Sequence, residues 1–378
     1  MQPDKTLLLI SSRIPHYRVS VYNYFHRRFR EEGWEFKVAS NAIQPHSKLE
    51  VRFDFREVEF QFSKYRKLLA EMRPDVVMFH LLLKERIFWF LIHWLKFKGV
   101  PMIQWTKGAN LDKPSSRIRY HVFNHFHRLS DALILYSPRE IAHIKPAYHG
   151  KVFVANNTVN FEDYPEVTAS KQEIKTEFGI PFEKIVLFTG TMGVDGERKK
   201  VEHLIRIFRD LDRKDVGLVI VGSGMNEGLK QQINPGNTRV LGAIHDARNL
   251  NISKMFKAAD LYVVPGHVGL GLNQAFYWGV PALTEAGHQP PEIQYLKSGR
   301  NGFMVPENDV AGLKEKMLYL LDHDDVRAQF SKHAREDILK EASIEGMFQS
   351  FQRAVAFVRR QPEPTASPTS NMAKDVIS

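Results

Sequence analysis

Residues 264–281 read Val264-Pro265-Gly266-His267-Val268-Gly269-Leu270-Gly271-Leu272-Asn273-Gln274-Ala275-Phe276-Tyr277-Trp278-Gly279-Val280-Pro281. The short apolar run 261–264 reads as a strand, and it ends in a turn built on Gly266, Gly269 and Gly271. A helix is predicted to start near Gly269, and Gly279-Val280-Pro281 closes it and opens a second strand. Strand, glycine-rich turn, helix and strand make one unit of an α/β sheet, and the helix's first amides face whatever the turn cradles. Gln274 falls inside the predicted helix, where its carboxamide is suited to a ribose hydroxyl. His267 sits in the turn, and His288 and Glu292 come after the following strand, on the same side.

Outward from this unit the same alternation runs through the chain. In the first half, strands are expected at 6–10, 35–40, 75–80, 101–105, 132–137 and 151–155, with helices at 19–32, 63–72, 85–98, 115–129 and 138–144. The apolar runs do not alternate strictly, which suits parallel strands covered on both faces. After the Asn-rich turn region 156–165 the series restarts, with strands at 184–189, 216–221, 238–242, 261–264 and 281–284 and helices at 201–212, 225–233, 253–258 and 272–278. The expected architecture is therefore two doubly wound, Rossmann-like α/β domains facing across a cleft. The domains are assigned to 1–165 and 166–342. Helices at 310–321 and 325–341 close the second, a helix at 343–360 packs back on the first, and the tail 361–378 is expected to be disordered. Ligands of such sheets bind beyond the carboxyl ends of the strands, so chemistry is sought in the loops that follow strands.

Composition narrows the function. The chain has 378 residues, 43% hydrophobic and 25% charged, which suits globular domains rather than a disordered chain. Cysteine is absent, which excludes disulfides and thiolate metal sites. The first ten residues are too short and polar for a signal peptide. The longest apolar run, 87–95 (IFWFLIHWL), is too short to span a bilayer. Net charge is +10, and residues 60–128 carry thirteen Lys/Arg against four Asp/Glu, interleaved with Phe88, Trp89, Phe90, Trp94, Phe97 and Trp105. This composition fits a solvated basic face, an anionic membrane surface, an anionic acceptor or nucleic acid. It comes with no nucleic-acid motif. The expected location is cytoplasmic, peripheral at the inner face of the membrane.

Other segments carry or exclude chemistry. The loop after strand 184–189 reads GTMGVDGERKK. Gly190, Gly193 and Gly196 permit tight turns, and Arg198, Lys199 and Lys200 follow at a helix start, a combination that suits a diphosphate or, alternatively, a flexible basic loop. Gly222-Ser223-Gly224 follows the next strand, but the position three beyond Gly224 is Glu227, so the dinucleotide fingerprint fails and a nicotinamide cofactor is disfavoured. Asp210-Leu211-Asp212, flanked by Arg209 and Arg213, reads as a helix surface rather than a metal site. The 16 histidines show no zinc-ligand spacing. No metal and no cofactor are expected.

The segments FTGTMGVDGERKKVEHLI, VIVGSGM, AADLYVVPGHVGLGLNQAFYWGVPALT and PPEIQYLKSGRNGFMV, in this order and spacing, resemble the donor domain of retaining glycosyltransferases of the GT-B fold, close to family 4. The resemblance covers residues 150–310 well and the first half more loosely. It implies a nucleotide-sugar donor held by Gly190, Gly193, Gly222, Gly266, His267, Gly269, Leu270, Gln274, His288 and Glu292. Arg198 and Lys199 would bind the diphosphate, although Thr191 stands where the family usually has a basic residue. The family's two glutamates, separated by seven residues, fall on Gly266 and Gln274, so both carboxylates are absent.

In the first half, Arg13-Ile14-Pro15-His16-Tyr17-Arg18 follows the first strand, where this fold places a loop near donor and acceptor. Arg13, His16 and Arg18 are assigned to the acceptor side, with helix capping or surface ion pairs as the plain alternative. His80 ends one strand, and Lys107 stands where relatives often place a histidine near the reacting centre; both join Arg198 and Lys199 as catalytic candidates. The expected reaction moves a sugar from a nucleotide sugar to a glycan or lipid-linked acceptor. The alternatives are a catalytically silent subunit of a transferase complex, which the missing glutamates favour, and a sugar-nucleotide epimerase.

Overall fold

The structure is a computed structural model that describes residues 4–43, 49–80, 85–109, 117–192, 197–244 and 246–360. Two parallel sheets organise it. The first contains β1 (Lys5–Ile10), β2 (Trp34–Ser40), β3 (Asp54–Glu57), β4 (Val76–His80), β5 (Met102–Thr106), β6 (Ala132–Leu135) and β7 (Val152–Val154), in the order β3-β2-β1-β4-β5-β6-β7. The second contains β8 (Lys184–Thr189), β9 (Val216–Val221), β10 (Thr238–Gly242), β11 (Leu261–Val263), β12 (Ala282–Glu285) and β13 (Gly302–Val305), in the order β10-β9-β8-β11-β12-β13. Every pairing between neighbouring strands in both sheets is parallel.

Runs such as VGLVIV in β9, buried at every position, form strands of this kind because helices cover both faces of the sheet. Strand order reverses between β1 and β4 in the first sheet and between β8 and β11 in the second. Such switch points open a crevice at the carboxyl ends of the strands. The loops that leave β1, β8 and β11 are the segments starting at Ser11, Gly190 and Val264.

The core of the second domain is one contiguous cluster. The first sheet has a cluster on each face. One of these is completed by the last helix, Ile344–Arg360, which returns from the second domain. Phe348 meets Phe29 at 4.8 Å and Phe25 at 5.8 Å, and Phe351 meets Phe25 at 4.7 Å and Trp105 at 4.8 Å. The two chain crossings between the domains are tied together: Thr158 Oγ1 donates to the Ala342 carbonyl at 2.6 Å and Asn156 Nδ2 to the Glu341 carbonyl at 2.9 Å.

Several local expectations are corrected. Residues 138–143 form a 3₁₀ turn rather than an α-helix, started by Pro138 and capped by Glu140. Strands β3 and β13 and the helix Lys171–Glu177 were not anticipated: β3 and β13 have four residues each and only partly buried faces, too short for a clear period. The helix after β11 begins at Gly271, so Gly269 and Leu270 belong to the turn. Arg198 and Lys199 lie in the 3₁₀ turn Glu197–Lys199, with the helix Val201–Arg209 starting after them. Gly193 lies outside the described residues.

Phe348→Ala removes an aromatic side chain that joins the last helix to the first domain's core. The expected cost is about 3–5 kcal/mol, seen as a lower urea midpoint by tryptophan fluorescence; an unchanged midpoint would show that this helix is not part of the core.

Candidate functional site

The crevices at the two switch points face each other and enclose a cavity of about 480 Å³. The second domain contributes Thr189, Gly190, Lys199, Gly222, Gly269, Leu270, Gln274 and Glu292 to its wall, and the first contributes His16, Tyr17, Arg18, Lys107 and Tyr136. His267, Ala243, Ile244 and Ile252 line it as well. Eleven of the residues singled out from sequence thus meet in one place: His16, Arg18, Lys107, Gly190, Lys199, Gly222, His267, Gly269, Leu270, Gln274 and Glu292. Arg13, His80, Arg198, Gly266 and His288 are not among its lining residues.

The loop after β8 shows how Lys199 is aimed. Gly266 N donates to the Lys199 carbonyl at 3.0 Å and His267 N to the Arg198 carbonyl at 2.8 Å, so the turn after β11 and the segment 198–199 run edge to edge. The next residue, Lys200, adopts a left-handed backbone with φ 52°, uncommon for a side-chain-bearing residue. It is fixed there by Glu285, whose carboxylate is fully buried: Lys200 Nζ lies 3.2 Å from Oε2, His203 Nδ1 2.6 Å from Oε1, and Asn308 N donates to Oε2 at 2.9 Å. Lys200 is thereby an anchor, Arg198 projects outward, and Lys199 is left to the cavity.

The Lys199 stem lies against Gly190, where a Cβ would sit 2.4 Å from its Cδ and Cε. Its ammonium donates to the His267 carbonyl at 3.1 Å. Burial lowers the Lys199 pKa to about 8, opposed by the negative charge of Glu292. His267 is held lower still, at about 4, by burial and then by the surrounding cations, led by Lys107 and Lys199, so its ring is neutral at pH 7. The result is a partly desolvated ammonium on the cavity wall, where its interaction with phosphate oxygens is stronger than in bulk water.

Gly266 explains one of the two missing glutamates. A Cβ there would stand 1.8 Å from the Arg198 carbonyl oxygen, so no side chain fits while the two segments pair. A buried carboxylate comes instead from Glu292, in the 3₁₀ turn Pro291–Tyr295, which is only 5% exposed and accepts a hydrogen bond from Asn157 Nδ2. On the first domain's side, Arg18 Nη2 donates to Asn157 Oδ1 at 2.8 Å. The Asn157 carbonyl accepts from Tyr295 Oη at 2.9 Å and Asn273 Nδ2 at 3.0 Å, so this linker residue joins both halves of the site. His80 packs on Trp105 with ring centroids 4.5 Å apart, and burial, then the charge of Arg18, lowers its pKa to about 3. It is a neutral ring of the strand end rather than part of the cavity wall.

Sequence reasoning missed Asn157, Tyr136 and Glu140, and it grouped Lys200 with the diphosphate-binding cations where the structure pairs it with Glu285. The Asn-rich linker was a signal for Asn157, read only as a turn. Glu140 caps its 3₁₀ turn through the amides of Tyr136 and Ser137, and burial raises its pKa to about 7. Among the described residues no group of three or more His, Asp or Glu side chains is placed to hold a metal ion.

The two facing doubly wound domains define a GT-B protein. Solved structures agree: HepE of Anabaena, determined with UDP and with UDP-glucose, superimposes with a TM-score of 0.75 at 13% identity, over 93% of this chain and 99% of that one. Residues 183–323 match the family model of group 1 glycosyl transferases. A stretch of 168 residues is 29% identical to phosphatidyl-myo-inositol mannosyltransferase of Mycolicibacterium smegmatis, covering 42% of each chain. A stretch of 271 residues is 23% identical to an uncharacterized glycosyltransferase of Methanocaldococcus jannaschii, covering 66% of each. The matches thus span 42% and 66% of the lengths of these curated relatives.

Gly266→Ala forces the paired segments apart. An overpacking cost of about 1–3 kcal/mol is expected, read as a lower melting temperature together with weaker binding of nucleoside diphosphates. Wild-type values for both would mean that the pairing does not shape the site.

Proposed function

We propose that this protein is a glycosyltransferase that takes a sugar from a nucleotide-sugar donor and passes it to a glycan or lipid-linked acceptor. The observation that carries the reading is the Lys199 ammonium, its pKa lowered by burial, on the wall of a cavity lined by the switch-point loops and by both domains. The donor's diphosphate lies against Lys199 and the turn at Gly269 and Leu270, with its base toward Ala243, Ile244 and Ile252 and a ribose hydroxyl at Gln274.

In the reaction the bond from the sugar's anomeric carbon to the phosphate oxygen breaks, and the acceptor hydroxyl oxygen bonds to that carbon. Charge grows on the departing diphosphate, where Lys199 stabilises it more in the transition state than in the ground state. The acceptor enters from the side of His16 and Lys107, on the face that the phosphate leaves. Its proton passes to the leaving phosphate oxygen, and the configuration at the anomeric carbon is retained. Counter-charge comes from Lys199 and backbone amides, so turnover persists in EDTA.

A membrane-bound acceptor is favoured by the helices Arg86–Phe97 and Arg117–Leu129, which pack together through Trp89 and Phe126. They expose Phe90 (67%), Phe97 (84%), Ile118 (79%) and Tyr120 (45%) within the stretch that holds the excess of Lys and Arg. Aromatic and basic groups together suit the interface of an anionic bilayer. No helix of the described residues is long and apolar enough to cross one. Sedimentation with vesicles containing phosphatidylglycerol at low salt, and release at high salt, is the expected outcome; full recovery in the supernatant at low salt removes the membrane from the proposal.

The donor is tested by melting the protein against a panel of nucleoside diphosphates and nucleotide sugars. A ligand at about 100 times its Kd adds roughly 2.7 kcal/mol and raises the melting temperature. Because Lys199 loses its proton near pH 8, affinity for the stabilising nucleotide should fall up to about tenfold per pH unit above 8, and Lys199→Arg should flatten that dependence. Lys199→Ala should lower turnover by about 10²–10³-fold. A panel without any hit overturns the transferase reading.

A further inference from the structure

Arg18 is the one buried arginine among the described residues, 5% exposed in the first turn of the helix His16–Glu31. Its guanidinium lies 4.4 Å from the Trp105 ring centre, 5.4 Å from that of Tyr17 and 5.7 Å from that of Tyr136. Nη2 donates to the neutral carboxamide of Asn157. Nη1 is buried and has no hydrogen-bond partner among the described residues, and no carboxylate among them forms an ion pair with Arg18. The buried acid Glu292 is joined to Arg18 through Asn157. A buried charge without a counter-ion is costly, and aromatic faces offset only part of that cost. Such a group points to a ligand that completes it, and Arg18 lines the cavity.

The second domain already provides for the donor's diphosphate with Lys199 and loop amides. Arg18 stands on the opposite wall, with Lys107 on the same side of the cavity. We propose that Arg18 and Lys107 form a phosphate subsite for the acceptor: the group that receives the sugar carries a phosphate close to its reacting hydroxyl. This rests on the reading of the cleft as a transferase site. The phosphate chemistry has a second source in the donor itself, and the experiment separates the two.

Glycerol 1-phosphate is titrated calorimetrically into the full-length protein, first alone and then saturated with the nucleoside diphosphate that stabilises it. The expected result is binding in both states, weakened at least tenfold by Arg18→Gln and largely kept by Arg18→Lys, with nucleotide affinity changed less than threefold. Arg18→Gln removes an uncompensated buried charge while keeping a planar amide toward Asn157, so its unliganded melting temperature should equal or exceed that of the wild type. A lower melting temperature with unchanged phosphate binding would make the guanidinium structural and overturn the proposal. So would a tenfold loss of nucleotide affinity in Arg18→Gln, which assigns the cation to the donor, or failure of the nucleotide-loaded wild type to bind the probe. If no nucleotide binds the wild type, the transferase reading fails separately, and titration into the protein alone still decides whether Arg18 holds phosphate.

Discussion

Two backbone hydrogen bonds, from the amides of Gly266 and His267 to the carbonyls of Lys199 and Arg198, set the geometry on which the site depends. They join the loops that leave β8 and β11, the two strands that flank the switch point of the second sheet. The pairing requires Lys200 to take a left-handed backbone, and the buried Glu285 carboxylate compensates that strain by gathering the Lys200 ammonium, the His203 ring and the Asn308 amide. The chain thus spends one of three consecutive basic residues on holding the loop, exposes another, and aims the third at the cavity.

Asn157 does comparable work between the domains. Its carboxamide receives Arg18 from one side and donates to Glu292 on the other, while its carbonyl accepts from Tyr295 and Asn273. A carboxamide suits this place because it offers a donor and an acceptor in one plane. An aspartate would put a second carboxylate against Glu292, and an alanine would leave buried polar groups of both domains unsatisfied, at about 1–3 kcal/mol each. The nearby ties from Thr158 and Asn156 to the carbonyls of Ala342 and Glu341 bring the second chain crossing to the same point. The two chain crossings between the domains therefore meet beside the site.

The architecture was legible because it is written in long signals. Apolar runs of five or six residues separated by helix-length amphipathic segments leave little room for any other sheet, and the series restarts after the turn region 156–165. What was hard to read depends on contacts between distant segments. Arg198, Lys199 and Lys200 look alike in sequence, and only the partner Glu285, 85 residues beyond Lys200, separates anchor from ligand-facing cation. His80 looked like a catalytic candidate because it ends a strand at the ligand edge; its ring packs on Trp105. Asn157 was hidden by its company, since asparagines in a linker ordinarily signal turns.

The missing glutamates bear on whether the site is spent or rebuilt. A site that has lost its purpose is expected to accumulate side chains that fill it or release its strained parts. Here the opposite holds. Gly266 has no side chain because the Arg198 carbonyl occupies the space a Cβ would take, so its glycine is demanded by the pairing that positions Lys199. Gln274 still faces the cavity, Glu292 brings a buried carboxylate to the same wall, and Lys199 is held partly desolvated beside it. Each of these features costs stability in the unliganded protein: a left-handed lysine, a lowered ammonium pKa, a buried arginine with an unused donor. Such costs persist where a ligand offsets them, and several anion-seeking groups converge on one cavity. The geometry therefore supports an altered working site over a silent one.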